Sequence, residues 1–159
     1  MSPEVRQAGI REVTFGAGCV IVEPVNLYGC TLGDDVFVGP FVEIQRRVEI
    51  GASTRIQSHA FICELVTVGS HCFISHGAKF TNYLFSDGDR AAGRGHLLRP
   101  TVLGDHVVVG TNATILPVRV CSHVVIAAGS VVTKDITDSG VYAGNPARFL
   151  RSLKKGDGA

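Results

Sequence analysis

The chain has 159 residues, 18% of them charged, and a formal net charge of +1, a balance that argues against a nucleic-acid or membrane-binding surface. Residues 1–10 include Glu4 and Arg6 and carry no apolar run long enough for a signal peptide, so a cytoplasmic protein is expected. Five cysteines (Cys19, Cys30, Cys63, Cys72 and Cys121), odd in number and without a Cys-x-x-Cys pair, argue against a disulfide framework or a zinc site.

From Val20 onward a six-residue beat runs along the chain. Aliphatic or aromatic residues fall at Val20, Leu32, Val38, Ile44, Ile50, Ile56, Ile62, Val68, Ile74 and Phe80, with only Asn26 out of character. Four places after a beat comes a small or β-branched residue, as at Val36, Val42, Val48, Thr54, Ala60, Val66, Cys72 and Ala78. Glycine often follows the beat directly (Gly33, Gly39, Gly51, Gly69), where the chain turns tightly and a Cβ would be in the way. A hexapeptide period is the mark of a parallel β-helix in which three short strands make one triangular coil of 18 residues and the beat residue points into the prism.

Tyr83 to Val102 has no period and is rich in Gly, Asp and Arg, so it reads as a loop ejected from the coil. The beat returns at Leu103, Val109 and Ile115, with small partners at Val107 and Ala113, then slips by one to Val120, Ile126 and Val132 through a five-residue turn. Val141 to Asn145 is expected to leave the coil. Asn145-Pro146, followed by Ala147, Phe149, Leu150 and Leu153, reads as the capped start of a short helix. The expected organisation is one domain over 1–159, with coils at about 13–82 and 103–138, a loop at 83–102 and a C-terminal helix at about 145–155.

Positions 18 apart share a face of such a coil, which aligns Tyr28, Arg46, Glu64 and Asn82 in a polar ladder about 14 Å tall that ends where the loop departs. An aromatic ring, a guanidinium, a carboxylate and an amide in one line suit an elongated polar ligand. Pro40, Ser58 and His76 form another column; His76 and His59 are the candidate bases, and His71, His96, His106 and His123 have no motif context.

The segments FVGPFVEIQRRVEIG, IQSHAFICE, ISHGAKFTN, GTNATILPVRV, AGSVVTKDI and VYAGNPARFL resemble the left-handed β-helix sugar N-acetyltransferases that acetylate the amino group of nucleotide-linked 3-amino sugars. The resemblance implies the hand of the helix, a homotrimer with clefts between subunits, acetyl-CoA as acyl donor without a metal, and a dTDP- or UDP-linked amino sugar as acceptor, in surface polysaccharide or glycan synthesis. With the ladder and these segments together, Asn82, Glu64 and His76 are the candidate catalytic residues, and Tyr28, Arg46, Gln57 and His59 the candidate acceptor contacts. Ala128, Gly129 and Ser130 fall along the pantetheine arm, with Lys134 in VVTKD and Pro146 and Arg148 in GNPAR at the coenzyme. Family members commonly continue Phe-Thr-Asn with Asp or a similar polar residue, where this chain has Tyr83.

A sugar amine is a good nucleophile once it has lost a proton, so an orienting amide such as Asn82 suffices, with Glu64 to fix it or take the proton and a backbone N–H for the oxyanion. The alternative O-acetyltransferases of the maltose or galactoside type need a genuine base, and YLFSDGDRAAG lacks their loop histidine. A γ-type carbonic anhydrase is suggested only by His71 and His76, whose register is off by one for that family. A non-catalytic binding protein is the remaining alternative.

Overall fold

The computed structural model describes residues 2–86 and 88–154. The chain winds as a left-handed β-helix of three sheets whose strands run parallel except for the last strand of the third. The first sheet has seven strands: Ile10–Arg11, Asn26–Tyr28, Glu43–Ile44, Phe61–Ile62, Lys79–Phe80, Thr114–Ile115 and Val131–Val132. Six more, Thr14–Phe15, Thr31–Leu32, Glu49–Ile50, Val66–Val68, Thr101–Leu103 and Arg119–Val120, make the second. The third has eight: Val20–Ile21, Phe37–Val38, Arg55–Ile56, Phe73–Ile74, Val108–Val109, Val124–Ile126, Gly140–Gly144 and Ala147–Arg151. The first corner of the prism joins the first sheet to the second, the second corner joins second to third, and the third corner returns to the first.

The inward beat residues from Leu32 to Phe80, and again from Leu103 to Val132, are buried, as are their small partners. Burying each Val, Leu or Ile side chain contributes about 1.5–3 kcal/mol, and backbone hydrogen bonds from coil to coil, such as Gly51 N–H to the Val68 carbonyl at 2.8 Å, join the stack. Thr54 takes a small inward position because its hydroxyl is satisfied locally: it donates to the Gly69 carbonyl at 2.9 Å and accepts from the Cys72 N–H at 3.0 Å.

The frame of the first coil differs from the expected one. Ile21 pairs with Val38 while Val20 is 53% exposed, and Leu27, not Asn26, is the buried residue of its strand. Leu27 to Leu32 is therefore a five-residue step, and Leu27 pairs with Ile44 across a 17-residue coil. Gly51 and Gly69 serve close stacking more than turning: a Cβ on Gly51 would lie 2.5 Å from the Gly69 carbonyl carbon. The left-handed turn conformation falls instead two residues on, at Ser53 and His71 (φ 57° and 56°).

The C-terminal helix is not formed. Gly140–Gly144 stays in the coil, pairing parallel with Val124–Ile126, and Ala147–Arg151 folds back on it as an antiparallel strand. The terminal coil presents an open row of N–H and C=O groups, and a returning strand satisfies them where a helix would not. Asn145-Pro146 makes the reversal rather than a helix cap, and residue 155 lies outside the described residues.

Burial pushes the Cys30 thiol up to about 11 and the Cys63 thiol up to about 12. Both therefore stay protonated at pH 8, and both are shielded by the core. Alkylation of the folded protein at that pH, read by peptide mass spectrometry, is expected to spare Cys30 and Cys63 until denaturant is added. Modification of Cys63 without denaturant would contradict the packing described here.

Candidate functional site

The first corner carries the densest polar chemistry. Ile44 pairs with Ile62, Phe61 with Lys79, Phe80 with Ile115 and Ile115 with Val132. Two residues past each inward position, these pairs stack Arg46, Glu64, Asn82, Pro117 and Lys134 in one column. The loop leaves between Asn82 and the strand Thr101–Leu103.

Glu64 is only 6% exposed. Its Oε1 accepts from Arg46 Nε at 3.2 Å and from Arg47 Nε at 2.7 Å, with Arg47 Nη2 also in contact. Its backbone N–H donates to Gln45 Oε1 at 3.2 Å. The network continues downward: Gln45 Nε2 donates to Glu43 Oε1 at 3.0 Å, Asn26 Nδ2 to Glu43 Oε2 at 3.1 Å, and Arg11 Nη2 to Asn26 Oδ1 at 3.2 Å. Above Glu64, Asn82 Nδ2 donates to the Glu64 carbonyl at 3.0 Å. A carbonyl only accepts, so the amide is oriented with its nitrogen inward and Oδ1 as the atom left to present.

Tyr28 stands one place out of the expected ladder. Because Leu27 is the inward residue, Gly29 lies under Arg46, where a Cβ would meet Arg46 Cβ at 2.8 Å. Tyr28 instead lies under the Arg11 guanidinium, 5.4 Å from the ring centroid, and desolvation raises its phenol above the ordinary range. Tyr83 is buried and meets Phe85 edge-on at 4.7 Å, pinning the root of the ejected loop.

The other candidate acceptor and base residues gather at the third corner. His76 Nδ1 is 2.8 Å from Ser58 Oγ, and His59 stacks on Phe41 with centroids 4.9 Å apart. Gln57 donates its backbone N–H to Ile74, and the His59 carbonyl accepts from Lys79 Nζ. Asn82 and His76 thus flank the strand Lys79–Phe80 on different corners of the prism. His71 belongs to neither group: it stacks on His106, and His106 on His123, at 5.0 and 4.9 Å along the second corner. His71 and His76 accordingly do not converge on one point.

The candidate coenzyme residues also divide. Lys134 and Arg148 share a pocket of about 260 Å³ with Asp135, Ile136, Tyr142 and Phe149, so two cations and one carboxylate border an apolar wall. That combination fits a molecule with phosphates and an aromatic base. Pro146 is exposed in the hairpin turn. Ala128 and Gly129 lie at the third corner, and Ser130 is buried, its Oγ accepting from the Gly144 N–H at 3.1 Å. Ser130 clasps the terminal strand.

Arg47, Gln45 and Glu43 were not singled out by sequence, nor were Arg99 and Arg119. The Gln-Arg-Arg run was the available signal for Arg47; nothing periodic marks Arg99.

The repeat family described as bacterial transferase hexapeptide (six repeats) matches residues 29–64, and the hexapeptide repeat of succinyl-transferase matches residues 100–134. The bifunctional protein GlmU of Clavibacter sepedonicus is 34% identical over 109 residues, covering 68% of this chain but 20% of that protein. A hexapeptide-repeat acetyltransferase from Vibrio cholerae, solved with acetyl coenzyme A, is 27% identical with a TM-score of 0.67 over 79% of this chain and 72% of its own. A perosamine N-acetyltransferase from Caulobacter crescentus, solved with CoA and GDP-perosamine, shares the fold at 21% identity and a TM-score of 0.65, over 84% and 53%. With its recurring six-residue period, its three-sheet coil and matches at residues 29–64 and 100–134, the chain is built of hexapeptide repeats similar to those of the bacterial hexapeptide transferases.

Proposed function

We propose that this protein is an acetyl-CoA-dependent N-acetyltransferase acting on the amino group, at the 3-position, of a dTDP- or UDP-linked sugar. The observation that carries the reading is Asn82: an amide held by the Glu64 carbonyl, with Oδ1 presented, at the corner from which the loop departs. Oδ1 accepts a hydrogen bond from the substrate's N–H and aims the nitrogen lone pair at the thioester carbon. Attack forms the N–C bond and moves the carbonyl π pair onto oxygen; collapse of this tetrahedral adduct breaks the C–S bond, and the ammonium proton passes to the departing thiolate. A backbone N–H of the coils facing the cleft supplies the oxyanion donor. Glu64 is a positioning residue in this scheme, since its carboxylate is engaged by Arg46 and Arg47.

Lys134 and Arg148 meet the phosphates of the coenzyme, with Tyr142 and Phe149 beside them. The chemistry of the Caulobacter relative, whose ligands are CoA and a nucleotide-linked amino sugar, supports the same class of reaction. Since Asn82 and His76 occupy different corners, the cleft is completed by a second copy whose third corner faces this first one, in a homotrimer.

Thiol release from acetyl-CoA with a panel of dTDP- and UDP-linked 3-amino and 4-amino sugars tests the reading. Turnover is expected with a 3-amino acceptor; the absence of release with every amino sugar would leave a binding protein. Lys134→Ala and Arg148→Ala are each expected to raise the KM for acetyl-CoA with little change for the sugar, each contact contributing about 1.5–3 kcal/mol. An unchanged KM would remove both from the coenzyme site.

A further inference from the structure

The sequence ladder offers Arg46 as the cation for an anionic substrate, but in the folded chain Arg46 and Arg47 both converge on the Glu64 carboxylate. Phosphates at this corner need other cations. One level above Asn82 and one below Lys134, an open basin of about 430 Å³ is lined by His96, Arg99, Pro100, Pro117, Arg119 and Asp135. Asp135 Oδ1 accepts from the Arg119 backbone N–H at 2.8 Å, and the basin keeps one carboxylate against two guanidiniums. Among the described residues neither Arg99 nor Arg119 forms an ion pair. Arg99 is tied to the reacting corner by its own backbone N–H, which donates to the Asn82 carbonyl at 2.8 Å.

We infer that the Arg99–Arg119 basin is a diphosphate-binding site, adjoining the Lys134–Arg148 pocket across Asp135 and resting on the acyl-transfer reading above. Two planar guanidinium forks without carboxylate partners match phosphate oxygens in paired, charge-assisted hydrogen bonds. The proline and valine floor (Pro100, Pro117, Val118) contributes no competing acceptor side chain. Both molecules brought to this corner, coenzyme A and a nucleotide-linked sugar, carry the diphosphate that the basin fits. Its place against Asn82 means that the anion would anchor the loop root from which the amide projects.

The test is calorimetric titration of the full chain with pyrophosphate, CoA, UDP and dTDP. Wild type is compared with Arg99→Gln/Arg119→Gln and with Lys134→Gln/Arg148→Gln, melting temperatures being checked for each. The first pair is expected to weaken pyrophosphate at least tenfold. If UDP and dTDP weaken while CoA does not, the site belongs to the sugar nucleotide; if CoA weakens alone, it belongs to the coenzyme; if both weaken with the melting temperature kept, either diphosphate occupies it. Arg99→Lys/Arg119→Lys, which keeps charge without the fork, is expected to recover part of the loss and covers a Gln variant that folds poorly. Unchanged affinities for all four ligands in the Gln pair would overturn the inference. Acetyl transfer with wild-type KM values in that pair would sink the basin and leave the function standing. Loss of pyrophosphate binding in a protein that acetylates no amino sugar would do the reverse.

Discussion

Asn82→Ala is expected to lower turnover by about a hundredfold or more, while the KM for acetyl-CoA moves little. Loss of a group that orients the nucleophile against the thioester carries a penalty of that order, and it falls on the transition state because Oδ1 contributes direction more than ground-state affinity. The fold should scarcely register the change. Asn82 is half-buried on the outside of the coil, and the side-chain hydrogen bond that the variant loses, to the Glu64 carbonyl, contributes about 1 kcal/mol. His76→Ala is the control. Bonded to Ser58, its imidazole faces the cleft from the neighbouring copy of the proposed trimer, but an amine aimed by Asn82 needs no strong base, so its loss is expected to leave most of the turnover. Near-normal rates for Asn82→Ala beside a collapse in His76→Ala would hand the base to histidine.

The coil was legible because the inward positions are aliphatic and the step between them is constant. It misled only where that redundancy failed. Val20 and Ile21 are both aliphatic, so the pattern could not choose between them, and the five-residue step after Leu27 is hidden by Asn26 standing where the beat should fall. That one-residue error moved Tyr28 into a column that Gly29 occupies. Local signals at the C-terminus pointed to a helix because Asn145-Pro146 resembles a cap; the partner that makes Ala147–Arg151 a strand is an edge 3–10 residues upstream, which periodicity does not register. In the site, the arithmetic of 18 placed Arg46, Glu64 and Asn82 together because the coils between them are full length. It passed over Arg47, which sits at the turn with φ 58° and reaches Glu64 from the side. Arg99 lies at the end of the aperiodic loop, and only the fold brings it against Arg119.

Glu64 offers the second large effect, and its direction depends on which member of the ion cluster is removed. The carboxylate is the buried partner, its side chain 8% exposed, while Arg46 and Arg47 are 69% and 59% exposed. Arg46→Ala/Arg47→Ala therefore strands a charge away from water and is expected to cost about 1–3 kcal/mol, discounted from the full buried-pair penalty because the guanidiniums are solvated. Glu64→Gln does the opposite: it frees two guanidiniums that return to water, keeps the side-chain shape, and should cost less than about 1 kcal/mol. Urea unfolding of the two variants reads this ordering directly, and a larger loss for Glu64→Gln would mean that the cluster is held by something other than burial of the carboxylate. For catalysis the decisive atom is the backbone carbonyl, which the Gln variant retains and to which Asn82 stays bonded. Turnover of Glu64→Gln is expected to stay within about tenfold of wild type, since a positioning group has kept its geometry. A hundredfold fall with an unchanged melting temperature would mean that the carboxylate itself takes the amine's proton, and that Arg46 and Arg47 must release it during the reaction.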